Sequence, residues 1–150
     1  MSIRDAVLAE AEVLGALMLS SKAVHGYDTS FLGACSSELQ VTAERLRSER
    51  IRVAVRDGQA IGVAALALAG DEAELTALFV KPSQLGQGIG HALWQDALEA
   101  ARAQGARMLR IDSDPHVVHW YLARGAELRG YSASGSIPGR LLPRLELPLP

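Results

Sequence analysis

The chain has 150 residues, 49% of them apolar and 21% charged, which suits one folded domain around one sizeable core. Its 15 basic and 17 acidic side chains leave a net charge of −2, so there is no electrostatic case for nucleic acid or an anionic membrane as partner. The single cysteine, Cys35, excludes an internal disulfide and reads as a small buried hydrophobe. The opening MSIRDAVLAEAEVL carries Asp5, Glu10 and Glu12 without the basic start of a signal peptide. The longest apolar run, Ala60 to Ala69, is too short to span a bilayer, so a cytoplasmic protein is expected.

SIRDA opens the chain as a short strand. From Val7 to Lys22, residues Val13, Leu14, Leu17 and Met18 recur at helical spacing. HGYDTSFLGACSSEL predicts a loop and a short helix, and Thr42 an N-cap for another short helix through Arg47. IRVAV reads as a strand, Asp57-Gly58 as a hairpin turn and AIGVAALALA as the paired strand. Gly70-Asp71 marks a second tight turn before a strand over Ala73 to Val80, completing an antiparallel meander. A long helix is predicted from about Gly88 to Gln104, with Ile89, Leu93, Ala97 and Ala100 on one stripe and Gly105 as its stop. RMLRIDS is the next strand. Asp114-Pro115 joins an N-cap to a first-turn proline and opens a helix that ends near Gly125. AELRGYS and LLPRLEL close the chain as strands, and Pro143 and Pro148 put the last one at or near a sheet edge. The order predicts an α/β (α+β) domain over residues 1–150. Its sheet is mixed and mostly antiparallel, with about seven strands and one parallel crossover, flanked by about four helices.

The stretch LFVKPSQLGQGIGHALW sets Gly86, Gly88 and Gly90 where a strand gives way to the long helix. Glycine there costs helix stability. A ligand approached by backbone N–H groups at a helix start offsets that cost. A phosphate-binding P-loop needs Gly-Lys-Ser/Thr, but Gly90 is followed by His91 and Ala92. A dinucleotide fingerprint needs a third glycine or alanine where His91 or Leu93 stands, and the antiparallel strands upstream oppose that fold, although Asp112 imitates its ribose-binding acid.

The remaining pattern, Leu85-Gly86-Gln87-Gly88-Ile89-Gly90 after LFVKP and before HALW, closely resembles the signature of the GNAT N-acetyltransferase superfamily, Arg/Gln-x-x-Gly-x-Gly/Ala. Leu85 departs from it, standing where Arg or Gln is usual. DPHVVHWYLARGAE resembles the second family motif: Asp114 takes the Asn place, Tyr121 the Tyr place and Gly125 the Gly place, while Ala126 replaces the usual Phe. SGSIPGRLLP and SKAVHGYDTSF resemble a bacterial subgroup of the same family, so the resemblance covers nearly the whole chain.

The resemblance implies an N-acetyltransferase that uses acetyl-CoA as cosubstrate and needs no metal. It implies pyrophosphate binding by the loop, with Leu78, Phe79, Val80, Leu85, Gly86, Gln87, Gly88, Ile89, Gly90, His91, Asp114 and Tyr121 as CoA contacts. Tyr121 is implied as the general acid that protonates the departing thiolate and Glu74 as the general base. Backbone N–H groups around Phe79 and Val80 would serve the oxyanion. Each residue also has a plain structural reading: Tyr121 as a core aromatic, Asp114 as a helix cap and Glu74 as an exposed strand carboxylate. His116 and His119, one turn apart, lack an evident third ligand and read as surface. Lys22, His25, Tyr27 and Asp28 are implied on one wall of the acceptor pocket, with Ser134, Ser136 and Arg140 on the other. The partners implied are a small-molecule or peptide amine and, as the homodimers common in the family imply, a second copy of the chain. The alternative is an acyl-CoA-binding module without catalysis; a nucleotide-dependent oxidoreductase is more distant.

Overall fold

The computed structural model describes residues 1–150. Its strands are β1 (Ser2–Asp5), β2 (Glu49–Arg56), β3 (Gln59–Ala69), β4 (Glu72–Val80), β5 (Met108–Asp112), β6 (Glu127–Ala133) and β7 (Leu141–Pro148). Its helices are α1 (Ala11–Ala23), α2 (Thr29–Cys35), α3 (Ala43–Ser48), α4 (Ile89–Ala103) and α5 (Val118–Leu122). The strands form one sheet in the order β1-β2-β3-β4-β5-β7-β6. Only β4 and β5 run parallel, joined through α4, so the predicted mixed sheet with one crossover is the observed one.

The hairpin signals hold because their backbone demands are met. Asp57 and Gly58 both take positive φ, 53° and 75°, as a two-residue turn between β2 and β3 requires. Asp28 and Thr42 cap α2 and α3, accepting from Phe31 N at 2.8 Å and Arg45 N at 3.1 Å. The α1 stripe is narrower than its spacing predicts. Leu14, Leu17 and Met18 are buried, but Val13 is 58% exposed, because a residue one step back points about 100° away around the helix. The segment after Asp114 is a 3₁₀ turn, Pro115–Val117, followed by the five-residue α5, rather than one continuous helix.

The last strand lies next to the sheet edge rather than at it. β7 lies between β5 and β6, and β6 is the edge. Two ends in the ladder accommodate the prolines. Pro143 O accepts from Ser113 N, so its missing N–H faces β5 just beyond that strand's last residue. Pro148 faces the other way by alternation, past the first residue of β6.

Helices cover both faces of the sheet. α1 and α2 bury Leu14, Met18 and Cys35 against Ile51, Val53, Val63 and Ala77. Cys35 is 1% exposed, the buried hydrophobe its sequence context predicts. On the opposite face, α4 and α5 bury Trp94, Leu98 and Tyr121 against Leu66, Leu75, Leu109, Ile111 and Leu145. No helix is long and apolar enough to cross a membrane.

β4 and β5 pair over only three residues, Glu72–Glu74 with Met108–Arg110, and then diverge. A register shift opposite Thr76 bulges β4 where the two strands part. Lys81 N donates to Ile61 O at 2.8 Å; by alternation the N–H groups of Leu78 and Val80 face the opening, while that of Phe79 faces β3. The Phe79 N–H, expected among the oxyanion donors, therefore faces β3; the N–H groups that face the opening are those of Leu78 and Val80.

Candidate active site

The opening between β4 and β5 is where the candidate residues gather. On its outer side, β4 leads through a 3₁₀ turn, Pro82–Gln84, into the glycine loop and α4. Gly86 and Gly88 take φ of 81° and 79°, which L side chains rarely adopt. Gly88 is the N-cap of α4 and offers no capping side chain. The first N–H to find a carbonyl there is that of Ala92, on Gly88 O at 3.0 Å. The N–H groups from Gly86 to His91 thus have no acceptor in the chain, and the helix dipole adds positive charge to them. Gly90 differs from the other two: it sits inside α4, and a Cβ there would make ordinary contacts, 3.5 Å to Trp120 and 3.6 Å to Val80. Its smallness leaves room in the cavity beside it rather than meeting a backbone demand.

That cavity, about 170 Å³, is lined mainly by apolar groups, among them Leu78, Val80, Leu85, Trp120 and Tyr121, with His25 and Ser21 at its α1 side. A second cavity of about 140 Å³ is more polar and includes Lys22, Glu38, Asp112, Asp114, Ser134 and Arg140. The two share Leu78, Val117 and Tyr121. Tyr121 is held on α5 between Trp94 and Trp120, ring centroids 5.6 and 5.2 Å away. It is 6% exposed, yet its hydroxyl makes no hydrogen bond in the chain. Burial raises its pKa, so the group stays protonated at neutral pH and can donate.

Asp114 is more than a cap. Its Oδ1 accepts from His116 N at 2.9 Å, as an N-cap should, but the carboxylate also takes Lys22 Nζ at 3.1 Å and Tyr27 OH at 2.9 Å. His116 Nδ1 lies 2.9 Å from Oδ1, and Arg140 Nη2 3.7 Å from Oδ2. Arg140 donates in turn to Tyr27 OH at 2.8 Å. This hub ties α1, the α1–α2 loop and the β6–β7 loop together over the strand opening. Burial alone would raise the Asp114 carboxyl; the His116 N–H and ring, Lys22 and Tyr27 outweigh it and hold it well below the usual range. Burial and Asp114 push Tyr27 up to about 12. His25 stacks on the His116 ring at 4.8 Å, and burial lowers its pKa, so the ring is neutral at pH 7.

Glu74 lies in neither shared cavity. It lines an adjoining hollow of about 310 Å³ with Glu38, Arg45, Thr76 and Asp112. Burial first, then the Asp112 charge, raise its pKa above the ordinary glutamate value. Of the proposed acceptor-wall residues, His25 faces the loop-side cavity, and Lys22, Ser134 and Arg140 face the polar one. Tyr27 supports the hub, and Ser136 donates to Glu38 at 3.1 Å. Asp28 is spent on capping α2. Glu38, Thr76 and Trp120 line the site without a sequence signal of their own, since each is an ordinary residue until the fold turns it inward.

Residues 14–126 match the model of the acetyltransferase (GNAT) family. The chain belongs to that family. No curated protein matches this GNAT chain. Among solved structures it is similar to a GCN5-related N-acetyltransferase from Rhodopseudomonas palustris, with TM-score 0.81 and 22% identity over 99% of this chain and 95% of that one. PaiA N-acetyltransferase from Thermoplasma acidophilum, solved in complex with coenzyme A, gives TM-score 0.76 and 18% identity over 97% and 96%. The ribosomal-protein-S18-alanine N-acetyltransferase from Escherichia coli gives 0.72 and 18% over 99% and 93%. At these identities the likeness establishes the GNAT fold, and the chemistry rests on the site.

Proposed function

We propose that this GNAT protein moves an acetyl group from acetyl-CoA to a primary amine by direct attack in a ternary complex. The observation that carries the reading is the unpartnered Tyr121 hydroxyl at the junction of an apolar cavity leading to the glycine loop and a polar one lined by charged groups. The apolar side suits the pantetheine arm and the free N–H groups of residues 86–91 suit the pyrophosphate. The polar side suits the acceptor, a small-molecule or peptide amine.

An alkylammonium, with a pKa near ~10.4, is not nucleophilic at neutral pH. Glu74, its carboxyl raised toward the working range, takes the proton directly or through water. Nitrogen attack places negative charge on the thioester oxygen, and the N–H groups of Leu78 and Val80 are the donors facing it. As the C–S bond breaks, Tyr121 gives its proton to the sulfur. No covalent enzyme intermediate is needed, so initial-rate lines for the two substrates should intersect; parallel lines would contradict direct transfer.

Two substitutions test the parts. At Gly88 an added side chain meets open space, so Gly88→Glu strains one left-handed residue by about 1–2 kcal/mol and sets a carboxylate in the anion cradle. The expected result by calorimetry is a folded protein with no measurable CoA binding; unchanged affinity removes the loop from the site. Glu74→Gln keeps the shape and removes the proton acceptor. Its rate should fall most near pH 7 and partly recover toward pH 9, where more amine is neutral (an assay window of about two units). A constant ratio to wild type across that window rejects Glu74 as base.

A further inference from the structure

The family signature puts a long polar side chain, Arg or Gln, at the position of Leu85, which is 54% exposed and lends the loop no charge. The topology brings a replacement from elsewhere. β2 ends, β3 begins and β4 ends at the same end of the sheet, because β2 and β4 each run antiparallel to β3. The last residue of β2, Arg56, therefore lies beside the loop. Its Nη1 donates to Gln84 Oε1 at 3.3 Å and also to the Oε1 of Gln87, the residue between the two left-handed glycines.

Both partners are neutral amides. Arg56 forms no ion pair, unlike Arg50 and Arg52 on the same strand, which share Asp96, and its Nε and Nη2 donate to no group in the chain. A half-buried guanidinium held against an anion-binding loop, with donors to spare and no carboxylate, is equipped for an anionic ligand. The Lys81 side chain bonds nothing in the loop, and Arg124 lies over the Trp120 ring at 3.5 Å and donates to Trp120 O.

We infer that Arg56 supplies the phosphate-binding charge that Leu85 cannot, contacting a phosphate at the nucleotide end of CoA from across the sheet. This rests on the reading of the loop as the CoA site. The ligand chemistry is a phosphate ester with two sources, the diphosphate or the 3′-phosphate, and the contact with Gln87 favours the diphosphate.

The test is calorimetric titration of the wild type, Arg56→Ala and Arg56→Lys with CoA, 3′-dephospho-CoA and pantetheine, which has no phosphate. Arg56→Ala should weaken CoA about tenfold, the scale of one charge-assisted hydrogen bond. Arg56→Lys, keeping charge without the fork, should lose less. Pantetheine affinity and melting temperature should hold, and the dependence of CoA affinity on salt should flatten in Arg56→Ala. An equal loss on CoA and dephospho-CoA assigns the diphosphate; a loss on CoA alone assigns the 3′-phosphate. If the variants bind CoA as the wild type does, or lose pantetheine equally, Arg56 has no such role. A wild type that binds no CoA at all overturns the loop reading itself, and this inference with it.

Discussion

Tyr121→Phe is expected to lower kcat by ~10²–10⁴-fold, the contribution of a positioned general acid, or roughly 3–5 kcal/mol of barrier. The structure makes the expectation clean. The ring is packed between Trp94 and Trp120, and phenylalanine keeps that packing. The hydroxyl has no hydrogen-bond partner in the chain, so its removal orphans nothing. Melting temperature and the dissociation constant of CoA should therefore stay nearly constant while the chemical step slows. A fall in kcat under about threefold with chemistry rate-limiting, far below the usual acid contribution, would make Tyr121 a core aromatic. A collapse in stability would contradict the absence of a structural role for the hydroxyl.

The largest stability effect belongs to Asp114. Its side chain is only 13% exposed and answers two cations, Lys22 and Arg140, together with Tyr27 and His116. Asp114→Ala leaves Lys22 and Arg140 half-buried without their carboxylate and uncaps the turn that leads into α5. A loss of about 3–5 kcal/mol is expected, seen as a melting temperature lower by roughly 6 °C or more for a chain of this size. Asp114→Asn keeps the cap and should cost less. The charge itself is tested by pH. The folded-state pKa of Asp114 is depressed, so its stabilisation is complete above the unfolded value of about 3.9 and fades as pH falls below it. The stability gap between the wild type and Asp114→Asn should accordingly be widest near pH 7 and narrow on acidification. A gap independent of pH would mean that the carboxylate acts only through its shape.

How these two residues look from sequence shows which information is local. The cap role of Asp114 is written in the dipeptide Asp114-Pro115, because capping involves residues two positions apart. Its hub role is not, because Lys22, Tyr27 and Arg140 lie 92, 87 and 26 positions away in sequence and meet only in the folded chain. The hairpin at Asp57-Gly58 and the glycine loop were legible for the same local reason: a backbone conformation there demands particular residues. The strand prolines put β7 at or near an edge, and it lies beside one; the edge rule concerns a missing N–H, and the ends of β5 and β6 remove the need for one without β7 being the edge itself. The separation of β4 from β5 also has no signature in either strand, and it decides which backbone N–H groups face the site. That is why sequence alone puts the Phe79 N–H at the opening, whereas the N–H of Leu78 faces it. Arg56 escaped notice because an arginine closing a strand looks like any surface cation until Gln84 and Gln87 fold against it.

The central claim is acyl transfer at the opening between β4 and β5, and thiol release from acetyl-CoA measures it most directly. The wild type would be assayed against a panel of polyamines, amino acids, aminoglycosides and peptides with free N-termini or lysines, with mass spectrometry of the acceptor. The account predicts release above amine-free hydrolysis for at least one class, matched by acetylation of that amine and suppressed in Tyr121→Phe. Saturable acetyl-CoA binding with no release in any class would contradict it and leave a binding module in place of an enzyme.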